Sequence, residues 1–418
     1  MRVDMRQMVL VISSAVDLVG VDDVLHGRRI GVMALECAKS LGWDQATQNL
    51  IFDAGLLHDC GVSSTRVYRT LTADLDWHEA HVHCGKGNEL LRGFKPLAHL
   101  APIVLYHHTH WDRLVKLPIS PTVARYANLI YLVNWVDANA LPFYADHSLL
   151  LHMEELRNLI EQRRGTFFAP ELVDAFLDAS RSEAFWLLLD PDFIHQYINE
   201  VGRFPQKRSI TLAELKQFAL TIAAIVDAKS HYTAGHSRGV GRLARFIAKK
   251  AGITGVRLDF IEVAGMLHDI GKLQTPDEVL ESTAKLSLAE RALMKRHSFA
   301  TYQILKRIVG FEKLARWASQ HHESPAGDGY PFHMFDGEIP LESRIIRVAD
   351  IFQALAQDRP YRAALPAAEI IAILRELEAA NEVDSTLVGI VAHHLDECHA
   401  AAVDPRPHPT ETGHNSLP

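Results

Sequence analysis

Cysteine is scarce. The chain has four in 418 residues, Cys37, Cys60, Cys84 and Cys398, and no two form a CxxC pair. That excludes a disulfide framework and a cysteine-rich structural zinc site, and it fits a reducing compartment. Long apolar runs are missing as well. No segment reaches the ~18 uninterrupted apolar residues that a membrane span needs. The opening run MRVDMRQMVLVISSAVDLVG meets Ser13, Ser14 and Asp17 too soon to act as a cleaved signal peptide. The expected location is the cytoplasm, with no membrane span. Positive charge is in deficit, with a net charge of −8 at pH 7. This argues against a surface for DNA or RNA polymers, yet leaves room for a local basic pocket around a small phosphorylated substrate. Alternating β-branched stretches are almost absent. Apolar residues instead recur at helical spacing, as in TLAELKQFALTIAAIVDAK and SLAERALMKRHSFATYQILKRIV. Thr211, with Glu214 three residues on, has the signature of a capping box. The expected fold is all-α, and the length calls for at least two domains.

What the sequence does have is histidine, in two ordered series. AGLLHDCG begins at Ala54 and AGMLHDIG at Ala264. Asp17, His26 and His58 recur 210 residues later as Asp227, His236 and His268. His83, His107 and His108 recur 214 residues later as His297, His321 and His322. An offset that drifts by a few residues marks a duplicated domain with small loop insertions. The expected organisation is a first domain over 1–180, a helical connector containing Trp186 over 181–209, a second domain over 210–398, and a disordered tail rich in Pro and His over 399–418.

The second series, His236, His268, Asp269, His297, His321, His322 and Asp350, mixes imidazole with carboxylate. Such a set suits Fe, Mn, Ni or Zn. A lone histidine is more often a satisfied core or capping residue. A His-Asp pair on an apolar helix, a later His, a His-His pair and a late Asp, occurring twice in one order, point to metal. Seven candidates exceed what one four-coordinate ion uses and suit two divalent metal ions sharing a carboxylate.

HDIGK (268–272), HH (321–322), GDGYP (327–331), RVAD (347–350) and DRPYR (358–362) resemble the HD-GYP family, a branch of the HD metal-dependent phosphohydrolases. The resemblance covers nearly all of residues 210–398. It implies an all-α domain, two metal ions, Fe or Mn foremost, and hydrolysis of a cyclic dinucleotide. The substrate it implies first is cyclic di-GMP, opened to linear pGpG and further to GMP; 3′,3′-cyclic GMP-AMP is the alternative. A non-catalytic dinucleotide receptor is the reading from another class, and retention of Asp269, Lys272 and Asp350 speaks against it. By resemblance Asp269 is the bridging ligand and acts in catalysis together with Lys272, while Tyr330, Arg359 and Arg362 bind substrate. The chemistry agrees. Two metals activate water and clamp phosphate oxygens. Lys272, three residues past Asp269, returns to the same helical face and can neutralise charge on the phosphorane. Arg359 and Arg362 can grip the second phosphate by charge-assisted hydrogen bonds. Tyr232 lies four residues before His236, where members with a third metal carry Glu. Gln353 lies three after Asp350, where many members carry Asp. A binuclear centre is therefore expected.

The first series resembles the same superfamily less closely. It keeps His26, His58, Asp59, His83, His107 and His108 as a second candidate metal site. It has Val62 in place of Lys272 and Asn134 in place of Asp350, with no Gly-Tyr-Pro loop and no DRPYR. Asp22 and Asp137 add carboxylates instead. The expectation is a degenerate HD-type domain that regulates the other or joins two copies in a homodimer.

Overall fold

This computed structural model describes residues 2–20, 25–62, 64, 80–201, 207–229, 235–358 and 362–403. Among them the only strands are Arg2–Asp4 and Lys207–Ser209, three residues each. The rest of the regular structure is helical, as the periodicity predicts. The chain divides into two compact units, one of residues 4–208 and one of residues 209–418 with 1–3. No helix among the described residues is long and apolar enough to cross a membrane.

The second unit begins with helix Leu212–Ala228, capped as predicted: Glu214 N–H donates to Thr211 Oγ1 at 3.1 Å and Thr211 N–H to Glu214 Oε2 at 2.8 Å. Its apolar face buries Phe218 fully, edge-on to Phe311 with ring centres 6.0 Å apart. Each such burial contributes about 1.5–3 kcal/mol. Helices His236–Lys250 and Val256–Leu267 then pack backbone against backbone at two glycines. A Cβ on Gly265 would stand 3.0 Å from Gly241 Cα. The first unit repeats the device with helices His26–Ser40 and Gln45–Leu57, where a Cβ on Gly55 would stand 2.8 Å from Gly31 Cα. In each pair the first helix opens on a histidine of the series and the second runs into the His-Asp pair. Bare glycine contact is what brings those two points together.

Residues 181–208, read from the sequence as a connector, group with the first unit. They include helices Glu183–Leu187 and Pro191–Val201. Trp186 is buried there, its Nε1–H donating to Ser180 O at 3.0 Å and its ring edge-on to Phe176. At the other end, helix Leu395–Val403 runs past the expected boundary at 398. The cause is burial of Cys398 and Ala402, so His399–Val403 is ordered helix and not disordered tail. The remainder of that tail, 404–418, lies outside the described residues. All four cysteines are free and buried.

Candidate metal centre and active site

In the second unit six elements bring their histidines and aspartates to one buried point. His236 is the first residue of its helix, entered through Gly235 at φ 77°. His268 caps helix Val256–Leu267, and Asp269 opens the short 3₁₀ helix Ile270–Gln274. His297 lies inside Leu288–Leu305, His321 and His322 follow Glu312–Ser319, and Asp350 lies inside Leu341–Ala356. Gly271 permits the convergence: a Cβ there would sit 2.0 Å from His297 O. Gly61 has the same relation, also 2.0 Å, to His83 O in the first unit.

The ligand atoms fall into two groups. Those of His236, His268 and Asp350 lie within 4.8 Å of one another, as do those of His297, His321 and His322. Asp269 joins them. Its Oδ2 is 3.6 Å from His236 Nε2 and 3.2 Å from His268 Nε2. Its Oδ1 is 3.5 Å from His297 Nε2 and 3.9 Å from His321 Nε2. Lys272 Nζ donates to Oδ2 at 2.6 Å.

The ring orientations are set by carbonyls. His268, His297 and His321 donate Nδ1–H to the carbonyls of Gly265, Met294 and Ala318 at 2.7, 2.6 and 2.6 Å. A carbonyl only accepts, so in the neutral rings Nε2 carries the lone pair. Two such nitrogens, on His297 and His321, face each other at 3.3 Å. His236 Nε2, His268 Nε2 and Asp269 Oδ1 are buried and make no hydrogen bond. The facing lone pairs of His297 and His321, with Asp269 Oδ1 left without a hydrogen bond, call for a cation in this dry site, and a nitrogen-rich set with carboxylates suits a transition metal. These residues fit the metal dependence of HD-domain phosphohydrolases.

The electrostatics follow. Burial lowers His268, but the carboxylates of Asp269 and Asp350 overcome it and hold the ring up at about 10. His236 is raised by the same two carboxylates. Burial takes His297 down to about 4. Burial and neighbouring imidazoles keep His321 and His322 well below the usual histidine range, hence neutral. Asp269 is buried, yet His268 and Lys272 keep it well below the usual carboxylate range.

Several contributors escape a motif reading. Glu323, buried directly after the His-His pair, accepts from the backbone amides of Phe332 and Met334 at 2.7 and 2.9 Å. It pins the far end of the Gly-Tyr-Pro loop. Tyr330 N–H donates to His322 O at 3.2 Å, and its ring stacks on His322 with centres 4.7 Å apart. Gln353, which stands where many family members carry Asp, accepts from His236 Nδ1 and orients that ring. Arg347, one turn before Asp350, donates Nε–H to Glu382 O at 2.9 Å and lies in the field of Asp350, Tyr330 and Asp328. Of the residues assigned to substrate, Arg362 donates to the carbonyls of Ala354, Leu355 and Ala363 at 2.8, 2.9 and 3.1 Å, around the end of helix Leu341–Ala356. Arg359 and Tyr232 lie outside the described residues, as does Asp22.

The first unit brings its six residues together in the same pattern. The ligand atoms of Asp59, His83, His107 and His108 lie within 4.8 Å of one another, and so do those of His26, His58 and Asp59. Burial lowers His26, but Asp137 and Asp59 hold it up at about 10. Burial takes His107 down to about 4. Asp137 accepts from His26 Nδ1 at 2.7 Å and from Arg29 Nε at 2.6 Å. It therefore backs a histidine, as Gln353 does, and is not itself aimed at the cluster. Asn134 and Val62 are buried, so neither restores the missing carboxylate and lysine.

The HD-domain family matches residues 220–387. Along 97% of this chain and 95% of the relative, the chain is 34% identical to 3′3′-cGAMP-specific phosphodiesterase 1 of Vibrio cholerae serotype O1. A cyclic di-GMP phosphodiesterase of Thermotoga maritima is 34% identical over 199 residues, 44% of this chain and 53% of that protein. Among solved structures, a cyclic GMP-AMP-specific phosphodiesterase of V. cholerae superposes with TM-score 0.64 at 25% identity, covering 95% of this chain and 98% of its own. A relative matched from end to end carries the family with it: this chain belongs to the HD-domain phosphodiesterases of the HD-GYP type.

Proposed function

We propose that the second unit is a binuclear phosphodiesterase that opens cyclic dinucleotides, with 3′,3′-cyclic GMP-AMP as the preferred substrate. The observation that carries the reaction class is the pair of three-residue ligand groups joined by Asp269, with Lys272 at 2.6 Å from its Oδ2. His236, His268 and Asp350 would hold one ion, His297, His321 and His322 the other, and Asp269 both. Two divalent ions there, Fe or Mn, would supply an activated water and neutralise phosphate oxygens. The chain's own residues do the rest. The carbonyl-anchored histidines keep their lone pairs aimed inward without reorganisation. Lys272 offers a positive charge where negative charge builds in the transition state. Tyr330 offers a flat face beside His322 for the substrate, and Arg359 remains the proposed grip on the uncleaved phosphate, while Arg362, committed to the carbonyls of Ala354, Leu355 and Ala363, holds the end of its helix in place.

The end-to-end likeness to a cGAMP-specific enzyme supports the mixed dinucleotide. Cyclic di-GMP is the second reading, favoured by a relative that matches a shorter stretch of the chain. Protein purified without oxygen and assayed on both dinucleotides with Mn²⁺ or Fe²⁺ tests the proposal. Faster opening of cyclic GMP-AMP is expected. Faster opening of cyclic di-GMP reverses the preference, and no hydrolysis of either removes the reading.

The Gly-Tyr-Pro loop yields a separate expectation. Glu323→Ala removes the acceptor of two backbone amides, and hydrogen bonds to a charged group contribute about 1.5–3 kcal/mol. The loop should loosen, KM should rise by roughly tenfold or more, and metal content should stay unchanged. Steady-state kinetics with metal analysis checks this; an unchanged KM would mean that the loop does not shape the substrate site.

A further inference from the structure

The hydrolytic reading leaves the cluster of the first unit without a task. We propose that this unit holds one divalent transition-metal ion of its own, bound by Asp59, His83, His107 and His108.

Four observations carry it. All four residues are buried, and one ligand atom from each lies within 4.8 Å of the others. Asp59 Oδ1, which accepts no hydrogen bond, is 3.2 Å from His83 Nε2 and 3.6 Å from His107 Nε2. His107 donates Nδ1–H to Val104 O at 2.7 Å, and His58 donates Nδ1–H to Gly55 O at 2.8 Å. His58 Nε2 meets His26 Nε2 at 3.2 Å, whereas the neutral His107 ring turns an Nε2 lone pair toward Asp59 from 3.6 Å. Acceptors are facing acceptors around one dry carboxylate, an arrangement that a cation relieves. The geometry also repeats that of the second unit. His83 Nε2 and His107 Nε2 are 3.3 Å apart, as are His297 Nε2 and His321 Nε2. His83 and His108 have ring centres 5.0 Å apart, as do His297 and His322.

The count of one follows from the other half of the cluster. Among the described residues, His26 and His58 have only the shared Asp59 as a carboxylate within the cluster, because Asn134 is neutral where Asp350 stands in the second unit and Asp137 is taken up on His26 Nδ1. Three imidazoles and one carboxylate are borderline ligands. They select Mn²⁺, Fe²⁺ or Zn²⁺ over Mg²⁺ and Ca²⁺, which prefer all-oxygen shells. With buried Val62 in the lysine's place, this ion lacks the cation that Lys272 sets beside the second unit's centre, so its role is to hold or signal and not to open that substrate.

The test uses the full-length chain carrying His268→Ala, Asp269→Ala and His321→Ala, which disrupts the second unit's centre. Grown with manganese and dialysed, it should retain about one Mn²⁺ per chain, unaffected by excess Mg²⁺. Adding the near-isosteric changes Asp59→Asn and His107→Gln should remove that ion. Independently, Co²⁺ alone, added to the metal-free triple variant, should produce a visible d–d absorption that saturates at about one equivalent. The proposal is overturned if the triple variant carries no manganese and gives no cobalt band, or if the five-fold variant keeps its ion. Metal content and cobalt absorption are read without any hydrolytic assay, so the result stands whether or not the second unit cleaves cyclic dinucleotides.

Discussion

A full-length chain carrying His268→Ala and Asp269→Ala is expected to lose hydrolysis on the order of 10³-fold or more, whereas one carrying His58→Ala and Asp59→Ala keeps most of it. The asymmetry does not come from the ligands, which both units bring together. Asp269 is the atom pair shared by both ligand groups, so its loss opens both metal positions at once. Asp59 is shared in the same way, but the described residues around it lack the counterparts that would handle a phosphodiester. Its unit has buried Val62 where Lys272 stands, neutral Asn134 where Asp350 stands, and no Gly-Tyr-Pro loop. Turnover of the two double variants on a cyclic dinucleotide, with a thermal melt to establish folding, decides the matter. Activity that survives in the first variant and collapses in the second would move catalysis to the other half of the chain.

The two His-Asp clusters were legible in the sequence because duplication wrote the same residue types twice in one order. The all-α fold was legible because the capping box at Thr211 and the helical spacing of apolar residues are local signals. What escaped was set by tertiary paths. Glu323 reads as one more acidic residue after His322 until the loop returns to place the amides of Phe332 and Met334 on it. Gln353 and Asp137 are unlike in type, and Asp137 looks like an extra ligand. The structure gives them one task, backing the first histidine of each series, because an amide oxygen and a carboxylate oxygen both accept from Nδ1. Gly271 passes for a turn residue until its missing Cβ proves to be the space that His297 O occupies. The end of the second unit was drawn at 398 because the residues beyond it are small and polar, and burial of Ala402 carries the helix further.

Lys272→Ala is expected to lower kcat by roughly 10²–10³-fold, or about 2.7–4 kcal/mol, the scale for removing one preorganised charge-stabilising donor. Two roles for this lysine make different demands. In the structure its ammonium lies on Asp269 Oδ2, through a 3₁₀ turn in which residues three apart eclipse. If its work were only to compensate that buried carboxylate, two dications would do so more strongly, and the variant would lose little once metal is supplied. If its work is on the phosphate, bound metal does not replace it, because the charge that grows in the transition state sits on oxygens the ions do not fully neutralise. The two roles separate in one experiment, in which metal content, KM and kcat are measured on the same manganese-loaded preparation. The phosphate role predicts unchanged metal content and a fall confined mainly to kcat. Full activity at saturating metal would reduce Lys272 to a counter-ion, and loss of the metal itself would make it a support for Asp269. The side chain remains about a fifth exposed beside a fully buried carboxylate. An ammonium anchored at the centre and still partly exposed is what the phosphate role requires.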